Sequence, residues 1–254
     1  MGEPLSIEGP GGKIAAILDV PSHIPSGGCP VAVLCHGLMD SKEGKVVSAL
    51  GKALPEVGIA SLRFDFDGHG ESDGPTYGMT IPHEIMDLKA VLGYVRSLEW
   101  AKSVAVCGHS LGGVVAAMTA GEIGFPEISA VLLYAPAGMA KDDALRGYVI
   151  GGWFDPDNVP ERMPLFGGFV LGRDYIMTAR SLPIYETASL YRGPSCIIQG
   201  GNDYIVRPRI GEKFHEAIAG SEFILIDGAG HDFSSSVEKA SRLGADWLKE
   251  KLLQ

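Results

Sequence analysis

The sequence predicts an α/β protein, with a mostly parallel central sheet, helices on both faces and a small inserted cap. Three observations predict it. Short apolar runs of strand length alternate with stretches of helical periodicity along most of the 254 residues, the pattern of parallel strands joined by helical crossovers. One such run, Ser103–Cys107, leads directly into Gly108-His109-Ser110-Leu111-Gly112, a strand-to-helix turn of the form G-x-S-x-G. The alternation breaks between about Ala137 and Glu186, a stretch too long and too apolar for an ordinary connection. The core is therefore expected over 1–136 and 187–254, with 137–186 inserted as a cap over the Ser110 edge of the sheet.

The elements follow in order. Lys13–Asp19 and Val31–Cys35 read as strands. Lys45–Leu54 places Val46, Val47, Leu50 and Leu54 at helical spacing and is ended by Pro55. Ile59–Phe64 is a strand of buried character, and Ile85, Leu88, Leu92 and Val95 line one helix face. After the Ser103–Cys107 strand, the small residues from Gly113 to Ala120 suit a helix. Ala130–Tyr134, Ser195–Gln199 and Glu222–Ile226 complete the strands. The last helix is expected to open on a capping box at Ser235-x-x-Glu238, with Val237, Ala240, Leu243, Trp247 and Leu248 on one face. Within the cap, Gly167-Gly168 between apolar pairs predicts a small hairpin and Asp174–Ser181 a short helix.

Composition narrows the function classes. A hydrophobic content of 46% with 20% charged residues marks an ordinary globular chain. A net charge of −10 argues against binding nucleic acid or an anionic membrane surface, and no apolar run approaches the length needed to span a bilayer. Of the four cysteines, Cys35, Cys107 and Cys196 lie in apolar runs. They read, with Cys29, as reduced structural thiols. No Cys/His cluster has metal-ligand spacing, so no metal and no cofactor are expected. Met1–Ser6 lacks a secretion-signal pattern and fits the short M-G-x-x-x-S acylation pattern, which nothing else supports. The cytoplasm is the expected location. The expected partner is a small-molecule ester, with no nucleic acid and no membrane; a homodimer is compatible with the reading.

The chemistry starts at Ser110. A strand that turns sharply into a helix strains the turn residue and presents its side chain at the sheet's C-terminal edge, and glycines at 108 and 112 give strand and helix room to converge. A serine hydroxyl needs a base within hydrogen-bond reach, and the base needs an orienting acid. Among seven histidines, His231 follows the strand Glu222–Ile226 and precedes the last helix, so it reaches the same edge. His36 and His109 are tied to their own Gly-flanked turns, His69 lies in the turn Asp67–Ser72, and His23, His83 and His215 read as surface residues. Asp203 emerges directly after Ser195–Gln199 and is the first candidate for the orienting acid. Asp227 and Asp232 rank second and third, being too close in sequence to His231 to reach its ring easily, and Asp65, Asp67 and Asp73 read as turn stabilisers. Two donors must meet the developing oxyanion. The backbone N–H of Leu111 is one, and Gly37 turns the chain after Val31–Cys35 so that the N–H of Leu38 can be the other.

The order Ser110, Asp203, His231, together with Asp65-Phe66-Asp67-Gly68-His69-Gly70-Glu71-Ser72, resembles the α/β-hydrolase family over nearly the whole chain. The cap segments Phe154-Asp155-Pro156-Asp157-Asn158-Val159-Pro160 and Leu182-Pro183-Ile184-Tyr185-Glu186 are similar to bacterial cinnamoyl (feruloyl) esterases. That resemblance implies a serine carboxylesterase acting on hydroxycinnamate esters, with Ser110, His231 and Asp203 as the triad. It also implies that Asp143 and Tyr175 hydrogen-bond phenolic hydroxyls. Leu111 stands where these esterases often carry Gln, and Ile150 where some carry a polar residue, which makes the pocket more apolar. A general carboxylesterase or monoacylglycerol lipase, haloperoxidase-like or C–C hydrolase chemistry on the same triad, and a non-catalytic ligand receptor are the alternatives.

Overall fold

The computed structural model describes residues 2–253. The chain runs β1 (Glu3–Glu8), β2 (Lys13–Asp19), β3 (Cys29–Cys35), α1 (Lys45–Ala53), β4 (Ala60–Phe64), α2 (Ile81–Ser97), β5 (Ala101–His109), α3 (Leu111–Ile123) and β6 (Ala130–Tyr134). Between β6 and β11 the chain continues with α4 (Ala140–Arg146), β7 (Tyr148–Val149), β8 (Gly152–Trp153), β9 (Arg162–Pro164), β10 (Val170–Gly172) and α5 (Arg173–Ala179). The chain then closes with α6 (Ile184–Ala188), β11 (Ser195–Gly200), α7 (Pro208–Ala217), β12 (Glu222–Ile226) and α8 (Val237–Leu252).

Eight strands form one sheet in the order β1-β2-β4-β3-β5-β6-β11-β12. From β4 to β12 all neighbours are parallel. Every residue of β3, β4, β6 and β11 is buried. Strands covered on both faces read as continuous apolar runs, because neither side of the pleat meets water. Helix α1 packs with α8 and β4, while α2, α3, α6 and α7 touch one another in succession. This is the α/β-hydrolase fold.

Three features depart from the sequence reading. β1 forms an antiparallel edge with β2, and β2 is antiparallel to β4; the exposed residues of β1 weaken its strand pattern. Helices α4, α6 and α7 and the β7–β8 hairpin have no counterpart among the predicted elements. The expected capping box at Ser235 does not form: Ser236 is the residue at the start of α8, and its side chain makes no cap hydrogen bond. Two consecutive turns, Phe233 N–H to Gly230 O and Ser236 N–H to Phe233 O, consume Ser235 and delay the helix. The predicted hairpin and short helix of the cap are present as β9–β10 and α5.

All four cysteines are free and buried. Among the described residues, no helix is long and apolar enough to cross a membrane, and no cluster of His, Cys, Asp and Glu is placed to hold a metal ion.

Candidate active site

β5 ends at His109 and α3 begins at Leu111, so Ser110 alone makes the turn. Its backbone lies at φ 54°, ψ −118°, a strained conformation that costs on the order of 1–3 kcal/mol and persists only where its surroundings enforce it. The enforcement is visible. Ser110 N–H donates to Tyr134 O at 2.9 Å, and Ser110 O accepts from Gly113 and Ala137. A Cβ on Gly108 would lie 2.1 Å from Gly112 O, and one on Gly112 would lie 2.3 Å from His36 O. Strand, helix and the β3 loop therefore approach as closely as only glycine permits.

Ser110 Oγ–H donates to His231 Nε2 at 2.9 Å, and His231 Nδ1–H donates to Asp203 Oδ2 at 2.8 Å. A carboxylate can only accept, so the proton sits on Nδ1 and leaves Nε2 free to accept from the serine. Asp203 is 2% exposed. Its other oxygen, Oδ1, accepts the amides of Ile205 at 2.9 Å and Val206 at 2.8 Å, and Gln199 Nε2 lies 3.3 Å from Oδ2. The acid is thus fixed from both sides. The rivals face elsewhere. Asp232 accepts from Lys45 and Ser234, whose hydrogen bonds hold its carboxyl well below the usual range, and Asp227 is exposed.

Leu111 is the first residue of α3, where an amide has no intrahelical acceptor. Leu38 follows Gly37, which packs so closely that a Cβ there would sit 3.0 Å from Ser110 Cβ. Both leucines line the cavity that holds Ser110. The loop bearing Leu38 is anchored by His36: its Nδ1–H donates to Gly37 O at 2.8 Å, and its Nε2 accepts Phe66 N–H at 3.1 Å. Burial, then neighbouring His69, pushes the His36 imidazole well below 6.5, so it stays neutral and keeps both bonds. Lys42, farther along the loop, is tied by its amide and its ammonium to Asp65, each at 2.6 Å. Asp65 does hold its own turn, accepting the Glu71 amide, whereas the Asp73 carboxylate accepts the Lys13 amide at the start of β2. His83, expected on the surface, is half-buried beside Asp67 and Asp87, because α2 turns that face toward the 67–74 loop.

Asp143 on α4 and Tyr175 on α5, both between β6 and β11, come to one cavity with Ser110. Atom-free space in the cavity and at its mouth, open solvent included, totals about 360 Å³. Met139, Val149 and Ile150 line it too. Asp143 is 7% exposed and pairs with Arg146. Burial raises its carboxyl and likewise pushes the Tyr175 phenol well above 10. Among the described residues, no protein group hydrogen-bonds the Tyr175 hydroxyl. From sequence, His36 and His109 belong to their own Gly-flanked turns. Both prove to hold site loops, and their one sequence signal is adjacency to Gly37 and Ser110.

Residues 29–154 match a protein-family profile described as serine aminopeptidase, S33. Among curated proteins, a region of 105 residues is 27% identical to an uncharacterised 31.7 kDa protein of Escherichia coli from the traX-finO intergenic region. The match takes in 40% of this chain and spans about a third of that relative, 36% of its length. Among solved structures, Est1E from Butyrivibrio proteoclasticus with ferulic acid bound superposes with a TM-score of 0.93 at 26% identity, over 98% of this chain and 100% of that one. The esterase domain of a Rhodothermus marinus protein superposes with a TM-score of 0.73 at 22% identity, over 98% of both chains. The shared architecture, the strained serine turn and these likenesses lead to one conclusion: the chain has the α/β-hydrolase fold and is similar to serine hydrolases that share it.

Proposed function

We propose that the protein is a serine carboxylesterase that hydrolyses esters of aromatic acids of the hydroxycinnamate type. The observation that carries this reading is the joint lining of one cavity by Ser110, Asp143 and Tyr175. A flat aromatic acyl group extending from the serine meets apolar walls, then a carboxyl and an unpartnered phenol suited to exchange hydrogen bonds with ring hydroxyls. The binding of ferulic acid by the similar Est1E supports the same acyl class.

His231 Nε2 takes the proton of Ser110 Oγ as the oxygen bonds to the ester carbonyl carbon. The carbonyl oxygen becomes an oxyanion, stabilised by the Leu38 and Leu111 amides. The imidazolium, steadied by Asp203, gives its proton to the alcohol oxygen as that C–O bond breaks. Water then repeats the sequence on the acyl-enzyme, with His231 as base, releasing the acid and restoring the Ser110 hydroxyl.

The test is kcat/KM on methyl ferulate against an aliphatic methyl ester of matched size. The reading expects the aromatic ester to be favoured at least about tenfold, the worth of one or two well-made hydrogen bonds. Equal rates would favour a second reading, a general carboxylesterase, for which the apolar Leu111 and Ile150 in the cavity wall speak. A burst of product from a p-nitrophenyl ester separates both from a non-catalytic receptor.

A further inference from the structure

A second, wider groove adjoins the acyl cavity, with about 1420 Å³ of atom-free space, open solvent included. Met139, Asp143, Tyr148 and Ile150 line both spaces, so the two share a wall. The far wall is the segment that follows the orienting acid: Tyr204, Ile205 and Arg207. That wall is referenced to the catalytic machinery, because Asp203 Oδ1 holds the amides of Ile205 and Val206. Tyr204 is 88% and Trp153 77% exposed. Trp153 leans on Tyr148, with ring centroids 4.8 Å apart.

The charges in this groove are unequal in their commitments. Arg146 is paired with Asp143, and Arg209 with Glu212 and Glu216. Asp142 contributes one negative charge to the lining. The guanidinium of Arg207 makes no hydrogen bond or ion pair with any described residue.

Reaction geometry says which half of an ester belongs here. His231 must deliver its proton to the alcohol oxygen, so the alcohol departs on the imidazole side, toward the Asp203 loop, while the acyl group fills the cavity toward Tyr175. We propose that this groove is the subsite for the alcohol half and selects a hydroxy acid: an alcohol with a ring or similar apolar body set against the exposed aromatic side chains and a carboxylate set on Arg207. The inference rests on the esterase reading but not on its aromatic acyl preference.

Four esters test it: cinnamate and hexanoate, each joined to 3-(hydroxymethyl)benzoic acid and to its neutral amide. The readout is the ratio of kcat/KM for the anionic over the neutral alcohol, taken within one protein so that stability cancels. A ratio of about fivefold is expected in both acyl series, the upper range for an exposed ion pair, shrinking as salt is raised. Arg207→Gln should bring the ratio close to one, and Arg207→Glu should invert it. A ratio near one in the unaltered protein, or an unchanged ratio in Arg207→Gln, overturns the subsite. A cinnamate rate no higher than the hexanoate rate overturns the acyl preference alone, and turnover of none of the four overturns both.

Discussion

The ring of His109 lies 4.8 Å from that of His231, and its Nε2–H donates to the His231 carbonyl oxygen at 3.0 Å. The residue beside Ser110 therefore holds the backbone of His231. His109→Phe keeps the ring and removes the donor. The His231 loop should then sample more positions, lowering kcat about tenfold for the loss of one buried hydrogen bond, with KM little changed. Steady-state kinetics on one ester checks this.

His109 also makes a pH prediction. Burial, then His231, pushes its imidazole down from 6.5 to about 4. Between these values the unfolded chain binds a proton that the folded chain refuses, so the stability present above pH 6.5 is lost as pH falls toward 4. Neutral His36, shifted in the same direction, steepens the loss. Melting temperature should fall from pH 7 to pH 4, and His109→Phe should flatten the slope.

Asp203 sits within 2.8 Å of one imidazole nitrogen and uses its other oxygen on two amides. Asp203→Asn keeps that framework while admitting the wrong imidazole tautomer, and kcat should fall by about 10⁴. Ser110→Ala should abolish labelling by an organophosphonate with no change in circular dichroism. Wild-type turnover in Ser110→Ala would remove Ser110 from the mechanism.

Asp143 and Tyr175 can be separated by substrate. Tyr175→Phe and Asp143→Asn should each slow esters with a phenolic ring hydroxyl about tenfold, while the unsubstituted cinnamate ester changes far less. Rates on the paired substrates give the answer; equal losses on both would mean that these residues shape the pocket without reading the hydroxyl.

Asp87 is fully buried on α2. It accepts the Asp67 amide at 3.0 Å and lies 3.7 Å from His83 Nε2. Burial raises its carboxyl from 3.8 to about 6. Here the folded state holds a proton that the unfolded state has lost, so stability declines as pH rises from about 4 to 6. Asn retains the amide-accepting oxygen without the charge. Asp87→Asn should stabilise the protein at pH 7 by no more than about 3 kcal/mol and have little effect at pH 4, as denaturant titrations at the two pH values would report.

Much of this site was legible in one dimension because local physics dictates it. A buried parallel strand is a continuous apolar run, a close strand–helix turn demands glycines at 108 and 112, and the residues after successive strands must emerge at one sheet edge. Those rules alone pick out Ser110, Asp203 and His231. They do not reach the capping of α8, because the turns that position His231 claim Ser235 first. Nor do they reveal that His36 and His109 brace the site, since each acts on a partner distant in the chain: His36 on Phe66, His109 on His231. The meeting of Asp143 and Tyr175 in one cavity, and of Arg207 with the same cap across a groove, depends on packing between an irregular insertion and the core. No periodicity encodes that contact, because side-chain burial across a non-repeating interface is set by the whole fold. Chain order thus fixes the sheet edge at which Ser110, Asp203 and His231 gather, while packing in three dimensions sets what surrounds them.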